Sequence, residues 1–147
     1  MDRCPIQTLH AAAPLDHARE GQPTLLCLVP AGWPSPAEDY VEKTLDAHKL
    51  VVRNELATYF LHASGDSMLG AGIHDGDTLV VDRSITPFSG SVVIACVDGG
   101  MTVKRYAVRG RRSFLQPENE RYKTIEVTDR DDVSIWGVVT YVLHKVG

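Results

Sequence analysis

From residue 57 onward, short apolar runs with a period of two are broken by clusters of turn formers. The runs "ATYFLHA", "DTLVVD", "SVVIACVD", "MTVKRYAV", "SFLQ", "TIEV" and "VSIWGVVTYVLHKV" read as strands, separated by turns such as "HDGD", "TPFSG" and "DGG". The pair on either side of Asp98, Gly99 and Gly100 predicts a hairpin. The long last run is predicted to bend at Gly137, because a glycine inside a strand often marks a bulge or a close approach.

Upstream the pattern differs. Pro5, Pro14, Pro23 and Pro30 punctuate the start of the chain, which keeps no period of 3.6 or 2 and reads as a flexible arm. Within it "TLLCLV" is long enough for one extended strand, closed off by Pro30. In "SPAEDYVEKTLDAHKL", Ser35 as N-cap, Pro36 at the first helical position and Glu38 form a capping box. Ala37, Val41 and Leu45 then recur every four residues, so a short helix is expected from about Pro36. The expected fold class is mainly β with that one short helix.

Composition narrows the setting. At 147 residues and 44% hydrophobic content the chain can build one ordinary core without metal or disulfides. A formal charge of -4 gives little attraction to phosphate backbones, so autonomous DNA binding is not expected and protein partners are. Cys4, Cys27 and Cys96 make an odd count without CxxC spacing, which argues against a disulfide framework and a cysteine zinc site, and for a reducing compartment. No apolar run is long enough to span a bilayer and the N-terminus has no signal-peptide core, so a cytoplasmic protein is expected.

The chemistry centres on "ASGDSMLGAG", where Ser67 sits in a Gly-Asp-Ser turn. Taken alone, such a serine is a turn former as readily as a nucleophile. A chymotrypsin-like enzyme needs Gly after the serine and room for two barrels, whereas Met68 follows here. An α/β-hydrolase needs GxSxG at a strand-to-helix elbow, and a GDSL-type esterase a late Asp-x-x-His; neither is present. None of the six histidines sits in a recognisable base motif. A serine without histidine can be activated by a lysine that burial keeps neutral. Strand alternation in "MTVKRYAV" puts Lys104 on one face with Thr102, Tyr106 and Val108, either buried with them or snorkelling to solvent. Asp75, Gly76 and Asp77 lack the spacing of a calcium loop and read as a turn, with no metal expected.

Four segments in order, "ASGDSM", "GIHDGDTLVVD", "SGSVVIACVDGGMTVKR" and "GVVTYV", resemble the LexA and UmuD family of self-cleaving Ser-Lys peptidases (peptidase S24-like) over nearly the whole chain. "AGWPSPAEDYVE" followed by "ATYFLHASGDSM" is most similar to the UmuD branch, and the proline-punctuated arm stands where LexA-like repressors carry a helix-turn-helix domain. The resemblance implies a fold of small twisted antiparallel sheets, Ser67 as nucleophile, Lys104 as general base, and the backbone N–H groups of Ser67 and Met68 as oxyanion donors. It implies self-cleavage between Ala31 and Gly32, dividing the chain into an N-terminal arm, 1–31, and a peptidase and dimerisation domain, 32–147. A glycine there permits close backbone approach, and "LCLV" can add as a strand to a sheet edge. Further implied are no cofactor, a homodimer, stimulation by RecA filaments on single-stranded DNA, and a UmuC-type Y-family polymerase partner in SOS translesion synthesis. Two alternatives stay beside this reading: a signal-peptidase relative, which needs a membrane anchor, and a repressor-like regulatory dimer that never cuts.

Overall fold

The computed structural model describes residues 22–25, 31–32 and 42–147. The start of the arm, most of "TLLCLV" and the Ser35–Pro36 cap lie outside the described residues. The chain falls into two compact units that divide between Arg53 and Asn54.

In the smaller unit, β1 (Gln22–Leu25) pairs antiparallel with β2 (Glu42–Leu45), Gln22 opposite Leu45 and Leu25 opposite Glu42. Ala31 and Gly32 form an exposed bend in the connection between these strands. The single helix of the described residues, α1 (Ala47–Val51), follows β2. The expected helical stripe does not extend to Leu45, which ends a strand; its start at Pro36 lies outside the described residues. The signal that starts α1 is Asp46, whose carboxylate accepts from the N–H of His48 at 3.0 Å and of Lys49 at 3.4 Å and so caps a helix beginning at Ala47. Cross-strand pairing with residues some twenty positions earlier has no local signature.

The larger unit is one antiparallel sheet of seven strands in the order β3-β4-β9-β5-β6-β7-β8. They are β3 (Thr58–His62), β4 (Thr78–Asp82), β5 (Val92–Val97), β6 (Gly100–Arg109), β7 (Arg112–Gln116), β8 (Ile125–Glu126) and β9 (Val133–Leu143). Each falls within or beside a run read as a strand, and β5 and β6 form the expected hairpin, with Val97 opposite Gly100. Asp98 carries φ 50° and Gly99 φ 76°, the left-handed pair that a tight turn of matching twist requires.

Alternation along β5 feeds two apolar clusters. Ile94 and Cys96 pack with Met68, Leu79, Val81 and Trp136, while Val93 and Ala95 pack with Leu115 and Val138. Gly137 lies where the register of β9 against β5 shifts, opposite Ile94, while Ile135 is already opposite Ala95. A Cβ at Gly137 would meet Val81 Cγ1 at 2.7 Å, so the glycine serves close approach of a neighbouring strand as well as the bend. Cys96 is disulfide-bonded, whereas the odd cysteine count had argued against a disulfide framework. No helix among the described residues is long and apolar enough to cross a membrane.

Candidate active site

Ser67 lies in the turn between β3 and β4, just before a short 3-10 turn, Leu69–Ala71. The turn is fixed from below by Met68, which is 1% exposed and anchors in the first cluster, and whose carbonyl accepts from the N–H of Ala71 and Ile73. It is fixed from the side by the segment after β7. The Glu118 N–H donates to the Ser67 carbonyl at 2.8 Å, and the Gly70 N–H donates to the Glu118 carbonyl at 2.8 Å. The Asn119 amide donates to the Asp66 carbonyl at 2.9 Å, and the Tyr122 hydroxyl to the Asp66 carboxylate.

Lys104 comes from the middle of β6, opposite Val93, which is fully buried; the lysine itself is only 7% exposed. Its Nζ donates at 2.9 Å to each of three acceptors: Ser67 Oγ, Thr102 Oγ1 and the Val103 carbonyl. An ammonium has three protons and fills all three bonds. A neutral amine has two, and with these on Thr102 and Val103 its lone pair faces Ser67 Oγ, ready to take the hydroxyl proton. Burial lowers the Lys104 pKa from its ordinary value, which raises the neutral fraction near physiological pH. The snorkelling alternative for this lysine therefore does not describe the fold. Arg105, the next residue, points its guanidinium to Glu118 and to the Gly90 carbonyl at 2.7 Å. One strand thus presents the amine to Ser67 and also holds the segment that braces the Ser67 turn.

The carbonyls of Ser67 and Met68 are both engaged with protein N–H groups, while no acceptor for their own N–H groups is found among the described residues. Beside Ser67 is a cleft of about 280 Å³ whose walls include Leu61, Ala63, Leu79, Ile94 and Met101. It is small, with Ser64, Ser67 and Thr102 as polar walls beside the apolar ones. His62 also lines it, with Nδ1 turned to Thr78 Oγ1 at 3.4 Å.

The structure brings Ser67, Met68 and Lys104 together. Ala31 and Gly32 belong to the other compact unit, where they are exposed. Sequence reasoning placed Thr102 on the lysine's face but not as its acceptor, and it missed Glu118 and Asn119 altogether. Their contacts are made largely through backbone atoms or to backbone atoms, which leave no mark on residue type.

Gly70 gives a direct test of the brace. A Cβ there would lie 2.8 Å from the Glu118 carbonyl oxygen, a backbone atom that yields only if the brace shifts. Gly70→Ala is expected to keep the fold and to lower the rate of any Ser67 chemistry by about tenfold to a hundredfold, the usual cost of misplacing a reacting group by about an ångström. Rate and thermal melting measured together check it; a wild-type rate would remove the brace from the mechanism.

Residues 23–140 match the peptidase S24-like family. The chain is 47% identical over 122 residues to protein MucA of Salmonella typhimurium, covering 82% of this chain and 83% of that protein. It is 45% identical over 116 residues to protein SamA of Salmonella typhimurium strain LT2, covering 79% and 80%. A LexA repressor of an Anaeromyxobacter species is 36% identical over 125 residues, covering 84% of this chain and 54% of the repressor. The extent of the match and these identities, taken with a mostly antiparallel fold and the motifs from Ser67 to Lys104, give one conclusion: the chain belongs to the peptidase S24-like family, that of LexA and UmuD.

Proposed function

We propose that this chain is a UmuD-type self-cleaving peptidase of the SOS response, with its own arm as substrate. The observation that carries the reading is the 2.9 Å contact between Lys104 Nζ and Ser67 Oγ, with the amine buried. Ser67 Oγ attacks the Ala31 carbonyl carbon as its proton passes to Lys104 Nζ. The oxyanion takes hydrogen bonds from the N–H groups of Ser67 and Met68. Lys104 then returns the proton to the Gly32 nitrogen as the peptide bond breaks, leaving residues 1–31 as an ester on Ser67. Water, deprotonated by the same amine, hydrolyses the ester. The small cleft, with Leu61, Ala63 and Ile94 among its walls, suits a side chain the size of Ala31, and an exposed bend between two strands suits a bond that must enter another surface. The trimmed chain, 32–147, acts as a homodimer in the cytoplasm and joins a UmuC-type Y-family polymerase. RecA filaments on single-stranded DNA stimulate the cut. Similarity to proteins MucA and SamA supports the UmuD-type assignment over the repressor one.

Incubation of the purified chain with RecA, nucleotide and single-stranded DNA is expected to yield a fragment of 116 residues beginning at Gly32. Intact mass spectrometry reads it directly. A different new N-terminus would reject the cleavage site, and a chain that stays whole under these conditions and at alkaline pH would favour the non-cutting regulator.

A further inference from the structure

A second cluster of chemistry-bearing side chains lies at the start of β4. His74 and Asp77 share the turn that enters β4, and His144 follows β9, which runs antiparallel to β4 with Leu143 opposite Thr78. The pairing sets His144 beside Asp77. We propose that His74, Asp77 and His144 bind one divalent transition-metal ion of the zinc class, completed by water.

The geometry carries this. One donor atom from each of the three residues lies within 4.8 Å of the other two. His144 Nδ1 is 2.5 Å from Asp77 Oδ1, and His74 Nδ1 is 3.6 Å from Asp77 Oδ2. The two imidazole rings face each other at 4.7 Å between centroids, tilted by 38°, so both nitrogens converge on one carboxylate. Zinc bonds of about 2.0–2.2 Å to nitrogen and oxygen span such a set after small ring rotations. The rings have that freedom, with side chains 49% and 47% exposed, whereas the Asp77 side chain is 3% exposed and fixed. Asp77 Oδ2 accepts from the His74 N–H at 2.7 Å, and the Asp77 carbonyl accepts from the Ala63 N–H at 2.8 Å. A ligating carboxylate held in this way by its own hydrogen bonds is what metal sites use to orient their ligands.

Donor type selects the ion. Two imidazoles and one carboxylate suit zinc, cobalt or nickel, while calcium and magnesium require a shell of oxygen ligands, which this cluster offers from one residue only. A bound ion exchanges the His144–Asp77 hydrogen bond for two metal bonds and fastens the residues after β9 to the turn before β4. That turn also supports the approach to Ser67, through the Gly65 N–H to Asp75 Oδ1 at 2.6 Å and the Gly76 N–H to the Ala63 carbonyl at 2.9 Å. The effect expected is therefore on the rigidity of this end of the sheet.

The test is a calorimetric titration of the full-length, untagged chain with zinc chloride, repeated with cobalt(II) chloride to read the coordination geometry from its absorption bands. One ion per chain is expected, with a zinc-dependent rise in melting temperature. His74→Ala and His144→Ala should each weaken binding by at least about tenfold and remove the melting shift. His48→Ala should change neither. Both substituted cluster imidazoles are about half exposed, so the variants fold, and circular dichroism checks this. No binding at millimolar zinc, or binding of equal strength in the His74→Ala/His144→Ala double variant, overturns the proposal.

Discussion

Ser67→Ala and Lys104→Met are each expected to abolish self-cleavage, by RecA stimulation or at alkaline pH, while circular dichroism and the oligomeric state stay as in the wild type. Ser67→Ala removes the only oxygen that Lys104 Nζ contacts in the turn. Lys104→Met keeps most of the buried volume against Val93 but leaves the serine without a base. A positioned general base is worth about 10²–10⁴ in rate, so the lysine variant falls at least that far. The two losses should not add, because each variant already lacks the proton transfer that makes the other residue useful. The double variant is then as inactive as either single one. A Lys104→Met protein that still cuts near the wild-type rate would exclude the amine as base, and full activity in Ser67→Ala would exclude the serine.

The fold and the candidate site were legible to different depths. The strands after residue 57 could be read because period two and turn formers are local signals, and Asp98-Gly99 makes its own hairpin. Lys104 was legible through alternation: two steps from Thr102 on the same face, it had to share the environment of that face. The strand that ends at Leu45 escaped notice because a sparse four-residue repeat competes poorly with a long-range ladder, and Asp46 offers a cap that only the observed strand end selects. The Glu118 brace was out of reach for a deeper reason. Its two Glu118 bonds to the Ser67 turn are backbone hydrogen bonds between segments some fifty residues apart, and any residue with a free N–H and carbonyl could make them. His144 is similar: its meeting with Asp77 follows from the β4–β9 register, including a shift between Val80 and Val81 that sequence does not announce.

The rate of self-cleavage without RecA should rise about tenfold per pH unit from neutrality and then level off, the second large effect expected of this site. The sign follows from the hydrogen bonds. While Lys104 is an ammonium, its three protons are all donated, one of them to Ser67 Oγ, and it can accept none. Deprotonation frees the lone pair on that side, so the active fraction grows with pH until the amine is mostly neutral. Burial lowers the pKa from the ordinary 10.5, which puts the plateau below the pH at which an exposed lysine would reach it. Intact-mass time courses over a pH series, with circular dichroism at each point to confirm the fold, give the profile. His62 is the histidine that lines the same cleft, and its substitution with alanine should leave the position of the break unchanged. A break that disappears in His62→Ala would assign the base to that imidazole instead, and a rate independent of pH would remove a titrating base from the rate-limiting step.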